Sequence, residues 1–523
     1  MLKVILAGYT LDADVIERLK QLATTDSILP PWIDNSTVLG SITPETISAA
    51  YARISRDPAP VNELRKQAVD DVAQAIKSNE AIVFGMGHHS VAEHVQLNFD
   101  ILGISRLAIE ALEEARLCAY TEKSQRYITL DGDFVLPVEL DETAKISSRF
   151  QEMIFKQNEV YKKAVPILTD FHKNKVTSET DPVGGIPNLD QKTIDACEGR
   201  AKEDARYVLS MATEGQLGFS VNARNLEYII RKLSCHPLDE VRKLSKKLYQ
   251  RSIEIVPSLI RLADPDEYYK QFGRKVSNAF LKDRWNLSDI FSSYLVYIER
   301  GLAHEAVPIS LISTTKDPDL HILSALMHSS LNCSYSDLSI RQMLRDHPGV
   351  GEHLVKNLLE CLTRFDAVYR EFEHVNFTFE LIVSSSAFAQ WKRHRMATIT
   401  KQNYNPELGY TYPSAVVEAG LSSMFREIYD ETTDMWNRLM QWGLFGAADY
   451  VLTNGHRRRI LITANLRELY HIARLRMDKH AQWEIREQAG KMIDIVKEVA
   501  PLTAILACGK DQFADLRKQI YGE

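Results

Sequence analysis

Residues Gln390-Trp391-Lys392-Arg393-His394-Arg395 place two guanidiniums and an imidazole within three positions. Arginine keeps its charge and presents a planar fork of N–H donors, so such a cluster suits a phosphate or pyrophosphate. Taken alone, a basic triplet is more simply a solvated face, because runs of charge usually meet water. Ser124-Gln125-Arg126 is a second candidate, a hydroxyl and a guanidinium two residues apart in a stretch that reads as a loop. It too could grip a phosphate, and alone it is as readily an ordinary loop. His88, His89, Glu93 and His94 form a third cluster, and imidazole beside carboxylate is zinc chemistry. Their spacing is one residue longer than the H-x-x-E-H metal motif, and Glu373-His374 recur later without the upstream histidines. A structural role at the start of a strand is therefore favoured over a metal.

The elements that must position these groups follow from an internal repeat. Glu93-His94-Val95-Gln96-Leu97-Asn98-Phe99-Asp100-Ile101 matches Glu373-His374-Val375-Asn376-Phe377-Thr378-Phe379-Glu380-Leu381. Both alternate apolar and polar residues with period two, which predicts two strands, each with one buried face. Ala205-Arg206-Tyr207-Val208-Leu209 likewise parallels Ala448-Asp449-Tyr450-Val451-Leu452, and Asn222-Ala223-Arg224 parallels Asn465-Leu466-Arg467. These later matches are closer together, so the first copy carries extra residues in its middle. The Pro/Gly/Asp-rich stretch Thr177–Asp190 is expected to be that insertion and to form a loop.

Apolar residues at three- and four-residue spacing predict helices over Ile146–Phe171, Leu238–Leu262, Ser423–Trp442 and Glu484–Val499. The N-terminus reads as a short strand and then a helix, and Val307–Ile312 as the strand that opens the second copy. The junction falls near residues 263–290, giving domains 1–270 and 271–523. Each is expected to be α+β, a mixed or antiparallel sheet packed with helices.

A chain of 523 residues has room for several cores at roughly 150 residues per domain. Its net charge of -7 disfavours a general nucleic-acid binder, so an anionic ligand needs a local basic cluster. Lys392–Arg395 and Arg457-Arg458-Arg459 lack the aromatic interleaving of a nucleic-acid face. The six cysteines are far apart, without a CxxC pair, and read as free thiols of a reducing compartment. There is no cleavable leader pattern and no apolar run of about 18 residues, so no membrane span is expected and a cytoplasmic location is.

Together, the ordered stretches resemble the flavin-dependent thymidylate synthases, the ThyX family. Its signature runs R-H-R-x-x-S-x-x-E-x-S-x-R-Y, preceded by G-H-x-S-x-x-E-H and a strand. The resemblance reaches the C-terminal helices, where Asn465-Leu466-Arg467, Leu475-Arg476 and Ala481-Gln482-Trp483-Glu484-Ile485-Arg486 look like the family's N-x-R, L-R and A-Q-W-E-I-R. Neither copy is complete, and the losses are complementary. The first keeps Gly87-His88-His89-Ser90, Glu93-His94, Glu122, Ser124, Arg126, Tyr127 and Arg206, but has Glu114-Ala115 where the family has Arg-His. The second keeps Gln390, Arg393, His394, Arg395, Asn465, Arg467 and Arg476. It has Val368 and Arg370 for the His and Ser of G-H-x-S, Asn403 and Asn405 for the Ser and Arg of S-x-R-Y, and Asp449 opposite Arg206.

The family's sites lie between subunits of a homotetramer, so the resemblance implies one whole site with residues from both copies. Arg393, Gln390 and Arg476 with Ser124, Gln125, Arg126 and Arg206 would bind deoxyuridine monophosphate, Arg393 and Arg476 being the catalytic pair. FAD would be held by His394, Arg395, Asn465, Arg467 and His471, with Ser90 and Glu122 from the first copy, and His88 would lie near the folate. His471 departs from the Asn often seen there. NADPH and methylenetetrahydrofolate would be co-substrates, and two chains would pair to imitate the tetramer. The cysteine nucleophile of the unrelated thymidylate synthases finds no match in Ser234-Cys235-His236-Pro237, whose order is reversed. The other reading of the missing motif halves is a non-catalytic nucleotide-binding or interaction protein of the same fold.

Overall fold

The computed structural model describes residues 1–24, 43–126, 128, 130–140, 144–180, 189–277, 307–332 and 334–522. Tyr127, Cys333, residues 181–188 of the Pro/Gly-rich stretch and 278–290 of the junction lie outside them. Each copy is built on a four-stranded antiparallel sheet. In the first, β1 (Lys3–Tyr9), β2 (Gln96–Ser105), β3 (Cys118–Glu122) and β4 (Glu214–Asn222) take the order β1-β2-β4-β3. In the second, β5 (Ile309–Thr314), β6 (Asn376–Ser384), β7 (Thr398–Lys401) and β8 (Arg457–Asn465) repeat it as β5-β6-β8-β7. The class is α+β.

The alternation in the repeated stretch has the expected consequence. Leu97, Phe99 and Ile101 of β2, and Phe377, Phe379 and Leu381 of β6, are buried, while Gln96, Asn98 and Asp100 face out. Burying each phenylalanine contributes roughly 2 kcal/mol. The copies then slip by one position, Glu93 aligning with Glu373 but Ser105 with Ser384. The cause is a bulge in β2, whose register shifts between Leu102 and Ile104. Gly103 sits there at φ 66°, where a Cβ would come within 2.6 Å of the Met1 carbonyl oxygen.

Helices cover one face of each sheet. The four periodic stretches become Ala144–Thr180, Asp239–Ser252, Ser422–Gln441 and Trp483–Val499. The first runs through Thr180, so the expected loop does not begin at Thr177; a prolonged helix carries the start of the insertion. The second ends at Ser252, ten residues before the periodicity does, and the chain continues in turns. In the second sheet's core, Ile472, Ile485, Ala489, Met492, Ile493 and Val496 pack with the buried face of β6.

The compact units cut across the sequence repeat. One comprises Met1–Phe155, Met211–Ala303 and Met435–Val451; the other comprises Lys156–Ser210, His304–Asp434 and Leu452–Glu523. Each therefore incorporates a segment from the opposite sequence half, anchored by a buried tyrosine. In the second unit, Tyr207 donates to Glu484 Oε2 (2.7 Å), while Ser384 donates to the same carboxylate through Oγ (2.5 Å) and N–H (3.1 Å). In the first unit, Tyr450 donates to Glu240 Oε2 (2.7 Å), and Ser105 donates through Oγ (2.6 Å) and N–H (2.8 Å). The Thr453–His456 turn completes the second seat, since Gly455 and Asn454 N–H groups donate to the Tyr207 and Leu209 carbonyls at 2.9 and 2.8 Å.

Glu484→Ala strips the shared acceptor from the buried Ser384 and Tyr207 donors, which should cost about 3 kcal/mol in urea unfolding; a loss below that of an exposed-site control would contradict the seat. His456 lies wholly inside the Thr453–His456 turn, where its Nδ1 accepts the Thr453 N–H (3.0 Å). Burial pulls its pKa from 6.5 down to about 3. As pH falls from 6.5 to about 3, the unfolded chain takes up a proton that the folded one refuses. This contribution to stability is thus whole above 6.5 and declines below it, by at most about 1.4 kcal/mol per pH unit. His456→Asn should flatten the fall in unfolding free energy on acidification, and an unchanged slope would show that His456 is not its source.

Candidate functional site

The basic triplet of the second copy is delivered by a short buried helix, Ser385–Trp391. Ser384 caps it by accepting the Ala387 N–H at 3.1 Å, and the Glu484 carboxylate in turn holds Ser384. Trp391, fully buried, closes its far end by donating from Nε1 to Gln488 Oε1 (2.8 Å). The chain then turns, leaving Arg393 and Arg395 exposed and His394 only 3% exposed between them.

A second helix, Leu466–Arg476, packs its apolar face inward through Leu466, Leu469, Ile472 and Ala473. Glu468 and Arg476 stand two turns apart on it, so they point the same way. Arg476 donates from Nε to His394 Nε2 (2.8 Å), from Nη1 to Gln390 Oε1 (2.8 Å) and from Nη2 to the Gln390 carbonyl (3.3 Å). His394 Nδ1 lies 3.1 Å from Glu468 Oε1. Burial, the Arg476 charge and His471 hold the His394 pKa well below 6.5, while burial raises that of Glu468 against the pull of His471 and Arg476. The site can therefore present a fixed guanidinium and a fixed amide beside two exposed guanidiniums, an arrangement that can receive a phosphate and a polar heterocycle.

The other expected site residues divide in two. Asn465 is the cap of the Arg476 helix, accepting the Glu468 N–H at 2.8 Å. Asn222 does the same for Ala223–Ser234. Arg467 donates to the Val368 carbonyl (2.9 Å) and to Glu373 (2.8 Å), and Arg224 pairs with Glu93 in the first unit. The repeated Glu-His thus starts each central strand by fixing an arginine, while His94 packs edge-on to Tyr51 at 4.6 Å. The exposed His471 ring stands 5.9 Å from His394. Arg206, from the first sequence half, lies in the second unit with Arg476 and Gln390, buried in the turn Arg206–Val208.

Ser90, His88, Glu122, Ser124, Gln125 and Arg126 belong to the first unit. His88 and Ser90 are exposed around the turn His89–His94, and Glu122 ends β3. Ser124 Oγ accepts the Arg126 N–H (3.2 Å), so Ser124-Gln125-Arg126 is a hydroxyl-braced turn. Among the described residues no group of three or more His, Cys, Asp or Glu is placed to hold a metal, and no helix is long and apolar enough to cross a membrane. Cys118, Cys197, Cys235, Cys361 and Cys508 are thiols, outside any disulfide.

Where the second copy has Gln390, Arg393 and His394, the first has Ala111, Glu114 and Ala115; where it has Glu468 and Arg476, the first has Asn225 and Leu233. Glu114 there pairs with Lys232 at 2.7 Å. Motif reading missed Glu468 and the supporting Glu484. The only signal for Glu484 was its place in A-Q-W-E-I-R, and for Glu468 its spacing from Arg476 on one helix face.

A family described as thymidylate synthase complementing protein matches residues 37–258 and 310–502, once in each copy. A flavin-dependent thymidylate synthase of Clostridium tetani is 29% identical over 224 residues, covering 42% of this chain and 83% of that protein. A UPF0159 protein of Thermoplasma acidophilum is 23% identical over 443 residues, 80% of this chain and 85% of that one. The former spans a single copy's length, whereas the latter runs across both.

If Asn465 is a cap, Asn465→Ala should cost about 1 kcal/mol of stability and Asn465→Asp far less. Thermal unfolding of the two variants checks this; equal losses would contradict a capping role.

Proposed function

The chain belongs to the family of thymidylate synthase complementing proteins as a tandem of two diverged copies, and on that premise we propose that it is a flavin-dependent thymidylate synthase. It would convert deoxyuridine monophosphate to thymidine monophosphate with one competent set of ligands drawn from both sequence halves. The observation that carries this reading is the sorting of residues. The bonded set Gln390, Arg476, His394 and Glu468 occurs in the second copy and is replaced at all four positions in the first, whereas the Ser124–Arg126 turn is kept only in the first.

In this reading the nucleotide phosphate is taken by Arg393 with Ser124, Gln125, Arg126 and Arg206. The uracil ring lies against Gln390 and Arg476, whose guanidinium stabilises electron density on the base carbonyls as it reacts. Arg476 is suited to that task because its position is set before substrate arrives, by His394 and by both oxygens of Gln390. The donor set also fits a dinucleotide flavin, since the exposed Arg395 and His471 flank a buried, rigid support. Arg395, His471 and Arg467 would hold it, with His394 and Asn465 behind them, Ser90 and Glu122 from the first copy, and His88 on the folate side. When bound, FAD supplies the redox relay between a reduced nicotinamide such as NADPH and the methylene carried by methylenetetrahydrofolate. Two chains would pair, and the protein would work in the cytoplasm.

Purified protein incubated with FAD should retain about one flavin per chain, and, once the flavin is reduced without oxygen and methylenetetrahydrofolate supplied as the methylene donor and electron acceptor, should oxidise it only when deoxyuridylate is also added. Arg126→Ala and Arg393→Ala, one in each copy, should each abolish deoxyuridylate binding by calorimetry. Protein that stays colourless refutes the flavoenzyme reading, and full affinity in either variant refutes the shared ligand set.

A further inference from the structure

The residue that the resemblance leaves without a role is Glu468. It is 6% exposed on the helix Leu466–Arg476, and its Oε1 faces His394 Nδ1 at 3.1 Å. A buried carboxylate is costly to keep unless it does something that a neutral side chain would not.

We infer that Glu468 is a positioning residue for the Arg476–Gln390 pair, acting by selecting the tautomer of His394. An arginine side chain is always protonated, so Arg476 Nε can only donate, and His394 Nε2 at 2.8 Å must accept. A neutral imidazole that accepts at Nε2 carries its proton on Nδ1. The ring nitrogen that keeps the proton is decided by what the other side of the ring meets, and here an acceptor carboxylate meets Nδ1. Without Glu468 the proton can move to Nε2, where it would face the Arg476 Nε–H, donor against donor. The guanidinium would then shift from the geometry in which Nη1 and Nη2 reach Gln390 Oε1 and its carbonyl at 2.8 and 3.3 Å. Because Arg476 bonds Oε1, the Gln390 amide is also held one way round, its nitrogen turned from Arg476.

The first copy supports the assignment from within the same chain. It has Ala115 for the histidine, Leu233 for the arginine and Ala111 for the glutamine, and at the Glu468 position it has Asn225, which donates from Nδ2 to its own cap residue Asn222 (2.9 Å). The carboxylate is present where there is an imidazole to orient and absent where there is none.

The inference rests on the proposed nucleotide site, and its test separates the two. Histidine nitrogens labelled with 15N, assigned with a His394→Gln variant, should show His394 as the Nδ1–H tautomer in the intact protein; an Nε2–H tautomer there overturns the inference whatever the protein binds. Glu468→Ala should lose that tautomer and weaken deoxyuridylate binding on the order of tenfold to a hundredfold. Glu468→Gln, which still offers Oε1 to Nδ1–H, should keep both within about threefold of the parent. Unchanged deoxyuridylate affinity in Glu468→Ala, with the parent binding normally, sinks the positioning role. A parent that binds no deoxyuridylate sinks the proposed function instead, while the tautomer measurement still decides the part played by Glu468. Should Glu468→Ala fail to fold, the parent tautomer and the behaviour of Glu468→Gln decide between the outcomes.

Discussion

The arrangement depends on one buried carboxylate that gathers donors from distant parts of the chain. Glu484 receives the Ser384 hydroxyl, the Ser384 N–H and the Tyr207 hydroxyl. Ser384 ends the central strand of the second sheet and caps the helix that delivers Gln390 and the Arg393–Arg395 turn. Tyr207 brings in a segment from the opposite half of the sequence. One side chain thus fixes where the strand stops, where the site helix begins and which segment closes over them. Glu240 with Ser105 and Tyr450 repeats it in the first unit, so the device does not depend on the Gln390, His394, Glu468 and Arg476 set, which occurs in the second copy alone.

From that anchor the site is built by rigid steps. The Ser385–Trp391 helix is too short to be stable by itself and is buried along its whole length, so its direction is set by packing and by its cap. The Leu466–Arg476 helix enters at a fixed angle because Asn465 caps it and Arg467 is tied back to Glu373. What these two helices share is the chain of bonds from Glu468 through His394 and Arg476 to Gln390. In the proposed site, preorganisation of this kind would let a substrate meet an Arg476 guanidinium that is already aimed.

Legibility in the sequence followed the range of the interactions. The period-two stretches of β2 and β6 were readable because burial alternates residue by residue, and the copies could be aligned on them. The triplet Arg393–Arg395 was readable as a basic cluster. That His394 points inward between two exposed arginines was not, since a turn imposes no periodicity. Asn465 and Asn222 could have been read as caps, as an Asn directly before an apolar helical pattern is the ordinary sign of one. The resemblance drew attention to Asn465 as a ligand instead. Glu484 could not be matched to Ser384 or Tyr207, which lie 100 and 277 residues away. Nor could the exchange of segments be seen, because each exchanged helix has the same apolar spacing whichever sheet it joins.

That exchange also sets an order of events during synthesis. The first unit needs Met435–Val451 before its core is whole, and the second needs Lys156–Ser210, made long before the sheet it joins. An emerging chain cannot finish its first copy and move on to the next, as beads on a string would. Tyr207 must wait, exposed, for Glu484 to leave the ribosome. Such contacts, distant along the chain, make folding slow and the half-made polypeptide prone to aggregation. The protein is therefore expected to lean on chaperones while nascent.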